Sequence, residues 1–351
     1  MDKGSYLLAV GCYTGGRGDG LYSYFFDPSQ RHFGKLASVR VTNPSYLALC
    51  ADRKCLYTVS ENTDTPSYAN VFGIESKTGH FTRKGRRMTK GEAPCYIAAD
   101  PRSRFVATAN YAGGSISVFP LEEEGNLEPV SQLIRFSGQG IDPKRQEAPH
   151  IHCVGFSPDG RYLFATDLGT DSIYRFEVEY TGGKTFLKEN TETVFPIASG
   201  SGPRHFRFSP DGKFFYLVNE LSGAVMAFGY RTGALSPLQT ISIGDTFRGD
   251  GGDIVLTPDG KYLYASLREG DDGIGIFSVD RKSGRLTKTD YMRTAVHPRN
   301  LAVSPDGKFL LCSAMKDNRI EAYSISPKNG MLVKTDARVE INSPACVVFM
   351  E

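Results

Sequence analysis

The stretch PRHFRFSPDGKFFYLVNE, residues 203–220, decides the fold. Two apolar runs flank Ser-Pro-Asp-Gly, in which proline presets φ, aspartate bonds its own backbone and glycine supplies a positive φ. The stretch reads as a β-hairpin. Working outward, SPDG returns at Ser157 and Ser304 and TPDG at Thr257, with degenerate versions at Asp52-Arg53 and Pro101-Arg102. A proline, once a glycine, opens each unit at Pro44, Pro94, Pro149, Pro203, Gly251, Pro298 and Pro344, spaced 46 to 55 residues apart. A second turn signal follows within six units at Thr78-Gly79, Glu124-Gly125, Gly182-Gly183, Thr232-Gly233, Ser283-Gly284 and Asn329-Gly330. Two hairpins make four strands, and four strands per period of this length mark a propeller blade. The expected fold is all-β: a seven-bladed β-propeller with four antiparallel strands per blade.

The ends predict how the ring closes. Residues 343–349, SPACVVF, read as the first strand of a blade whose second and third strands are residues 6–11 and GLYSYFFD, 20–27, at the other end of the chain. Pairing of N- and C-terminal strands removes exposed sheet edges, and residues 1–351 read as one domain. The chain has 351 residues, 40% of them hydrophobic, with 38 glycines and 19 prolines, which suits a turn-rich β protein with a large core. No apolar run approaches the roughly 20 residues of a membrane span, and MDKGSYLLAVG is too short in apolar residues for a secretory leader. Seven cysteines without a CxxC pair suggest reduced thiols and a cytoplasmic protein. A net charge of +2 argues against a nucleic-acid binder, and the absence of tryptophan against a WD-repeat propeller. A monomer or weak homo-oligomer is expected.

Because the second strand of each hairpin returns beside the start of the first, residues 16 apart become neighbours at one rim. The pairs are Ser45 with Glu61, Cys95 with Tyr111, His152 with Leu168, Arg204 with Glu220, Gly252 with Arg268, and Arg299 with Met315. All twelve are expected to ring the central funnel. His152, Arg204, Arg268 and Arg299 beside Glu61 and Glu220 read as an anion pocket, since the guanidinium fork suits carboxylate and phosphate. A cross-strand salt bridge between Arg204 and Glu220 is the plainer alternative.

The segments GCYTGG, NPSYLAL, ANYAGGSISVFPL, RQEAPHIHCVGFSPDGRYLFATDLGTD, GPRHFRFSPDGKFFYLVNEL and PRNLAVSPDGKFLL together resemble the seven-bladed lactonase family, which includes propeller-type 6-phosphogluconolactonases and carboxy-muconate lactonizing enzymes. The resemblance spans all seven units. It implies catalytic roles for His152, Arg204, Glu220 and Arg268. It departs from the family pattern at Leu267 and Glu269 around Arg268, and at Ala314-Met315. The implied activity is hydrolysis of 6-phosphoglucono-δ-lactone, a small anionic lactone, with no cofactor. A muconate-type cycloisomerase and a non-catalytic protein-binding propeller are the alternatives.

On this reading the phosphate lies among arginines such as Arg268 and Arg299, the carbonyl faces Arg204, and Glu220 or His152 takes the proton of the attacking water. Further substrate contacts are expected from His150, Glu61, Tyr111, Asn110 and Gln146, and weaker candidates are Lys144, Arg145, Arg248 and Asp253. Tyr111 lines the sugar site or plugs the funnel. His150 and His152 face one side of an extended segment, but two ligands do not make a zinc site, so no metal is expected. His205, one residue after Arg204, is expected on the opposite side of its strand, packed between blades.

Overall fold

The computed structural model describes residues 4–15, 17–181, 183–188, 191–245 and 249–350. Seven antiparallel sheets of four strands are arranged as the blades of a propeller. Blades 1 to 6 follow the chain (residues 47–88, 94–135, 151–196, 203–242, 251–293 and 298–340). The seventh joins the two ends, with Pro344–Phe349 innermost and then Tyr6–Cys12, Gly20–Asp27 and His32–Arg40. Val10 pairs with Val347 and Ala9 with Val348, so the ring closes as the sequence predicts. One short 3-10 turn, Glu123–Gly125, is the helical exception among the described residues.

The turn chemistry appears in the hydrogen bonds. At residues 157–162, Ser157 Oγ donates to Asp159 and accepts from the Tyr162 amide, while Gly160 sits at φ +67°. The same contacts recur at Ser209 with Asp211, Thr257 with Asp259, and Ser304 with Asp306. Outer turns lock blades 2, 5 and 6 to their predecessors. The Tyr57, Tyr216 and Tyr264 hydroxyls donate to the carbonyls of Gly125, Gly284 and Gly330 in the following blade. A larger residue at Gly284 or Gly330 would collide with Phe214 or Tyr262.

The inner strands position the site, and they carry a feature that spacing alone does not predict. In blades 2, 3, 4 and 6 the register slips by one at the second residue. Pro203 pairs with Asn219 but His205 with Val218, and likewise around Cys95, His152 and Arg299. Blade 5 slips between Gly251 and Ile254. Such bulges re-aim side chains, and both the extra residue and the one after it face the channel. The first ring therefore includes Ser45, Cys95, His152, Arg204 and Arg299. Below it lie Tyr46, Tyr96, His205, Asp253 and Asn300, joined by the stacked Tyr46 and Tyr96 rings, 3.7 Å apart, and by His205 edge-on to both. His205 thus lies in the channel and not between blades.

Candidate active site

Glu220 follows the second strand of blade 4 and is 6% exposed, with cations gathered around it. Its Oε2 accepts from Arg204 Nε at 2.9 Å and forms an ion pair with Arg268 Nη2 at 3.1 Å, and Oε1 accepts from Arg145 Nη2. His152 Nε2 is 3.7 Å from Oε2. Arg204, 1% exposed, also donates to the Gly252 carbonyl at 2.5 Å, and Arg268 to Asp250 at 2.9 Å and the Gly251 carbonyl at 3.1 Å. Gly252 is required because a Cβ there would lie 2.4 Å from Ser266 Oγ and 2.8 Å from the Pro298 carbonyl. Arg268 Nε is buried without an acceptor among the described residues.

These charges set the protonation states. Burial alone would raise the Glu220 carboxyl, but Arg268, Arg204 and Arg145 hold it well below the usual carboxylate range. Burial, aided by the Arg204 charge, keeps His152 neutral, well below the ordinary imidazole value. Burial and then Arg204 push His205 down to about 3 against the pull of Asp253, whose Oδ1 is 2.8 Å from its Nδ1. Burial brings Arg204 to about 10, helped by Arg268 and opposed by Glu220. Beside His152, the Cys95 thiol donates to its carbonyl at 3.3 Å; burial and Glu61 push the thiol well up, so no thiolate nucleophile forms.

A second cluster adjoins the first. Arg299 Nη2 donates to the Tyr13 hydroxyl at 2.6 Å, and its guanidinium lies over that ring. The Tyr13 hydroxyl donates to Glu61 at 2.8 Å, and Ser45 also donates to Glu61. Tyr13 is the seventh blade's counterpart of Glu61 and Glu220, but its strand partner is at the other end of the chain, so a spacing of 16 cannot find it. Tyr111 stacks on His150 at 4.4 Å, stands edge-on to His152 at 5.4 Å, and engages Arg145 through its phenol. His150 Nδ1 is 3.1 Å from the Tyr111 carbonyl, and Nε2 is 3.3 Å from Glu147.

Four expected positions lie apart from this cluster. Asn110 ends its strand, but its carboxamide turns into blade 2 and donates to Ser115 at 3.1 Å and Ser117 at 2.9 Å. Gln146, fully buried, donates to the Leu168 carbonyl at 2.9 Å and accepts from the Asp142 amide at 3.1 Å, so it anchors the loop. Leu168 is likewise sealed from solvent. Asp253 is buried between His205 and Asn300. Arg248 lies outside the described residues. His297, which carries no spacing signal, sits beside the site with Nδ1 2.9 Å from Glu269, and burial together with Arg268 and Arg299 lowers it to about 4. Among the described residues no three His, Cys, Asp or Glu side chains gather in a way that would hold a metal ion, and no helix is long and apolar enough to cross a membrane.

This arrangement can bind an anion, orient a polar carbonyl against fixed cations and offer a neutral imidazole as a base. A family described as "Lactonase, 7-bladed beta-propeller" matches residues 7–349. The 6-phosphogluconolactonase of Bacillus subtilis is 33% identical over 98% of both chains. A crystal structure from Bacteroides fragilis, of a provisionally assigned 6-phosphogluconolactonase, is 40% identical, with a TM-score of 0.95 over 99% of this chain and 98% of that one. The periplasmic gluconolactonase PpgL of Pseudomonas aeruginosa is 33% identical, with a TM-score of 0.92 over 98% of this chain and 99% of that one.

Proposed function

The chain belongs to the seven-bladed β-propeller lactonase family, and from that premise we propose that it is a carboxylic ester hydrolase opening 6-phosphoglucono-δ-lactone to 6-phosphogluconate, a step of the pentose phosphate pathway. The observation that carries the reading is the buried Glu220 carboxylate, gripped by Arg204 and Arg268 beside a neutral His152. In this mechanism the lactone carbonyl lies against the Arg204 and Arg268 guanidinium groups. Water adds to the carbonyl carbon as His152 takes its proton, and the two guanidinium groups stabilise the tetrahedral oxyanion. The carbon to ring-oxygen bond then breaks, the imidazolium returns its proton to that oxygen, and the acid released ionises in solvent. Glu220 serves as the anchor of the arginines and not as the base, because both of its oxygens are already engaged by guanidinium groups.

The similarity to the Pseudomonas gluconolactonase favours a second substrate reading, an unphosphorylated gluconolactone, with the same chemistry. That relative is periplasmic by name; for this chain, seven unpaired buried cysteines support the cytoplasm. The test is the hydrolysis rate of freshly made 6-phosphoglucono-δ-lactone, with the spontaneous rate subtracted, for wild type and Arg204→Ala. A wild-type excess that the variant loses is expected, and no excess rejects the substrate.

A further inference from the structure

The buried arginines account for the carbonyl end of a lactone and leave its other end to the loop of residues 137–150. On the lactonase reading above, we propose that Arg145 is the residue that selects a phosphorylated lactone, its guanidinium leaving Glu220 to take the substrate phosphate as partner.

Availability is the first argument. Of the three arginines on Glu220, the side chains of Arg204 and Arg268 are 1% and 4% exposed, and that of Arg145 is 41% exposed. Each of the others has further fixed acceptors: the Gly252 carbonyl for Arg204, and Asp250 with the Gly251 carbonyl for Arg268. Arg299, which the sequence suggests as a phosphate ligand, is committed to the Tyr13 hydroxyl. Arg145 has Glu220 and the Tyr111 phenol. Of that pair only the Arg145 end reaches solvent, and a phosphate dianion offers its guanidinium a charge-assisted contact in place of one oxygen of Glu220. Glu220 keeps Arg204 and Arg268 throughout.

Position is the second. Beneath the ring, the cavity touching Arg204, His205, Arg299 and Asn300 measures about 10 Å³, room for one water at most. A ligand whose carbonyl reaches Arg204 therefore extends outward, toward the loop. Arg145 and His152 lie on opposite oxygens of one carboxylate, so a sugar lying across Glu220 reaches both. The loop is also preorganised. Gln146 pins it to the Leu168 carbonyl, and Asp142 accepts from the amides of Lys144 and Arg145. The backbone at Arg145 is thus fixed while its guanidinium remains free to turn, and its planar fork binds phosphate in a bidentate manner.

The experiment compares kcat/KM for fresh 6-phosphoglucono-δ-lactone and for glucono-δ-lactone in wild type, Arg145→Ala and Arg145→Lys. The readout is the ratio of the two, which is insensitive to any loss common to both substrates. We expect Arg145→Ala to lower this preference about 10- to 100-fold, the worth of charge-assisted hydrogen bonds, mainly through KM for the phosphorylated lactone, and Arg145→Lys to restore part of it. A wild type without preference, or a variant that loses equally on both substrates, overturns the proposal. Calorimetric binding of 6-phosphogluconate and gluconate to the same proteins separates the two claims. If wild type hydrolyses neither lactone, the lactonase reading falls. Arg145 is then judged by binding alone, where loss of preference for the phosphorylated acid in Arg145→Ala supports its role and an unchanged preference overturns it.

Discussion

Replacing Glu220 by glutamine tests whether one buried carboxylate holds the site together. The substitution keeps the shape and removes the charge, leaving Arg145, Arg204 and Arg268 converging on an amide. Its single carbonyl oxygen cannot serve all three, and its NH2 group faces donors with a donor. Removing one side of a buried ion pair costs about 3–5 kcal/mol, a large part of the roughly 5–15 kcal/mol that keeps a domain folded. Arg145 can turn toward solvent, and Arg204 and Arg268 retain the Gly252 carbonyl and Asp250. The low end, about 3 kcal/mol at neutral pH, is therefore expected. The loss has a pH signature. The folded-state carboxyl lies well below its ordinary 4.5, so its stabilisation is complete above that value and disappears as pH falls through the depressed folded value. Urea unfolding curves of wild type and variant should stand apart at neutral pH and approach one another in strong acid. In parallel, kcat should fall about 100-fold as the arginines lose their common anchor, the scale of a misplacement of about 1 Å, with a smaller change in KM. Coincident curves at neutral pH, or a gap that persists unchanged in acid, would refute the electrostatic account, and an unchanged kcat would remove Glu220 from the chemistry.

Deleting residues 343–351 removes the innermost strand of the closing blade and should lower the unfolding midpoint sharply by circular dichroism; an unchanged midpoint would disprove closure through that strand. Gly252→Ala forces a Cβ against Ser266 and the Pro298 carbonyl where Arg204 is held. It should cost about 1–3 kcal/mol and depress kcat/KM, and normal activity would count against that tether. His205 is lowered to about 3 in the folded protein, so the unfolded chain takes up its proton first. Its contribution to stability is complete above about pH 6.5 and falls by about 1.4 kcal/mol per pH unit on acidification toward pH 3. His205→Gln should flatten the stability profile over that interval, and identical slopes in the two proteins would reject a neutral buried histidine.

Blade number and closure were legible because their signals are local. Ser-Pro-Asp-Gly places its hydroxyl, carboxylate and positive-φ glycine in fixed order whatever surrounds the turn, and the four best copies use the same hydrogen bonds. The site was legible as far as it follows from that hairpin. Once the turn fixes the register, residue 205 must pair with 218, and Arg204 is then brought to the end of the hairpin where Glu220 follows. Arg299 and Glu61 were found by the same spacing, but they meet through Tyr13, supplied by the opposite end of the chain. Asn110 and Gln146 misled because a polar residue near a funnel reads alike whether it faces a ligand or satisfies a neighbour. The Asn110 carboxamide is consumed by two serines and that of Gln146 by the backbone.

His205 shows what alternation of strand side chains leaves out. In a regular strand, consecutive side chains face opposite ways, which assigns Arg204 to the channel and His205 to the space between blades. The one-residue slip at Arg204 turns both inward, and His205 joins Asp253 and Asn300 in a layer directly beneath the cations. That layer borders the chemistry above it: the Asp253 carboxylate opposes the lowering of Arg204, and the His205 ring stands 5.1 Å from His152. A bulge repeated from blade to blade thus supplies the channel with two successive side chains per strand, one ring to meet a ligand and one to set the electrostatics of the first. No amphipathic period encodes such a bulge, and it becomes visible only once the partner strand is present to show which residue has no opposite number.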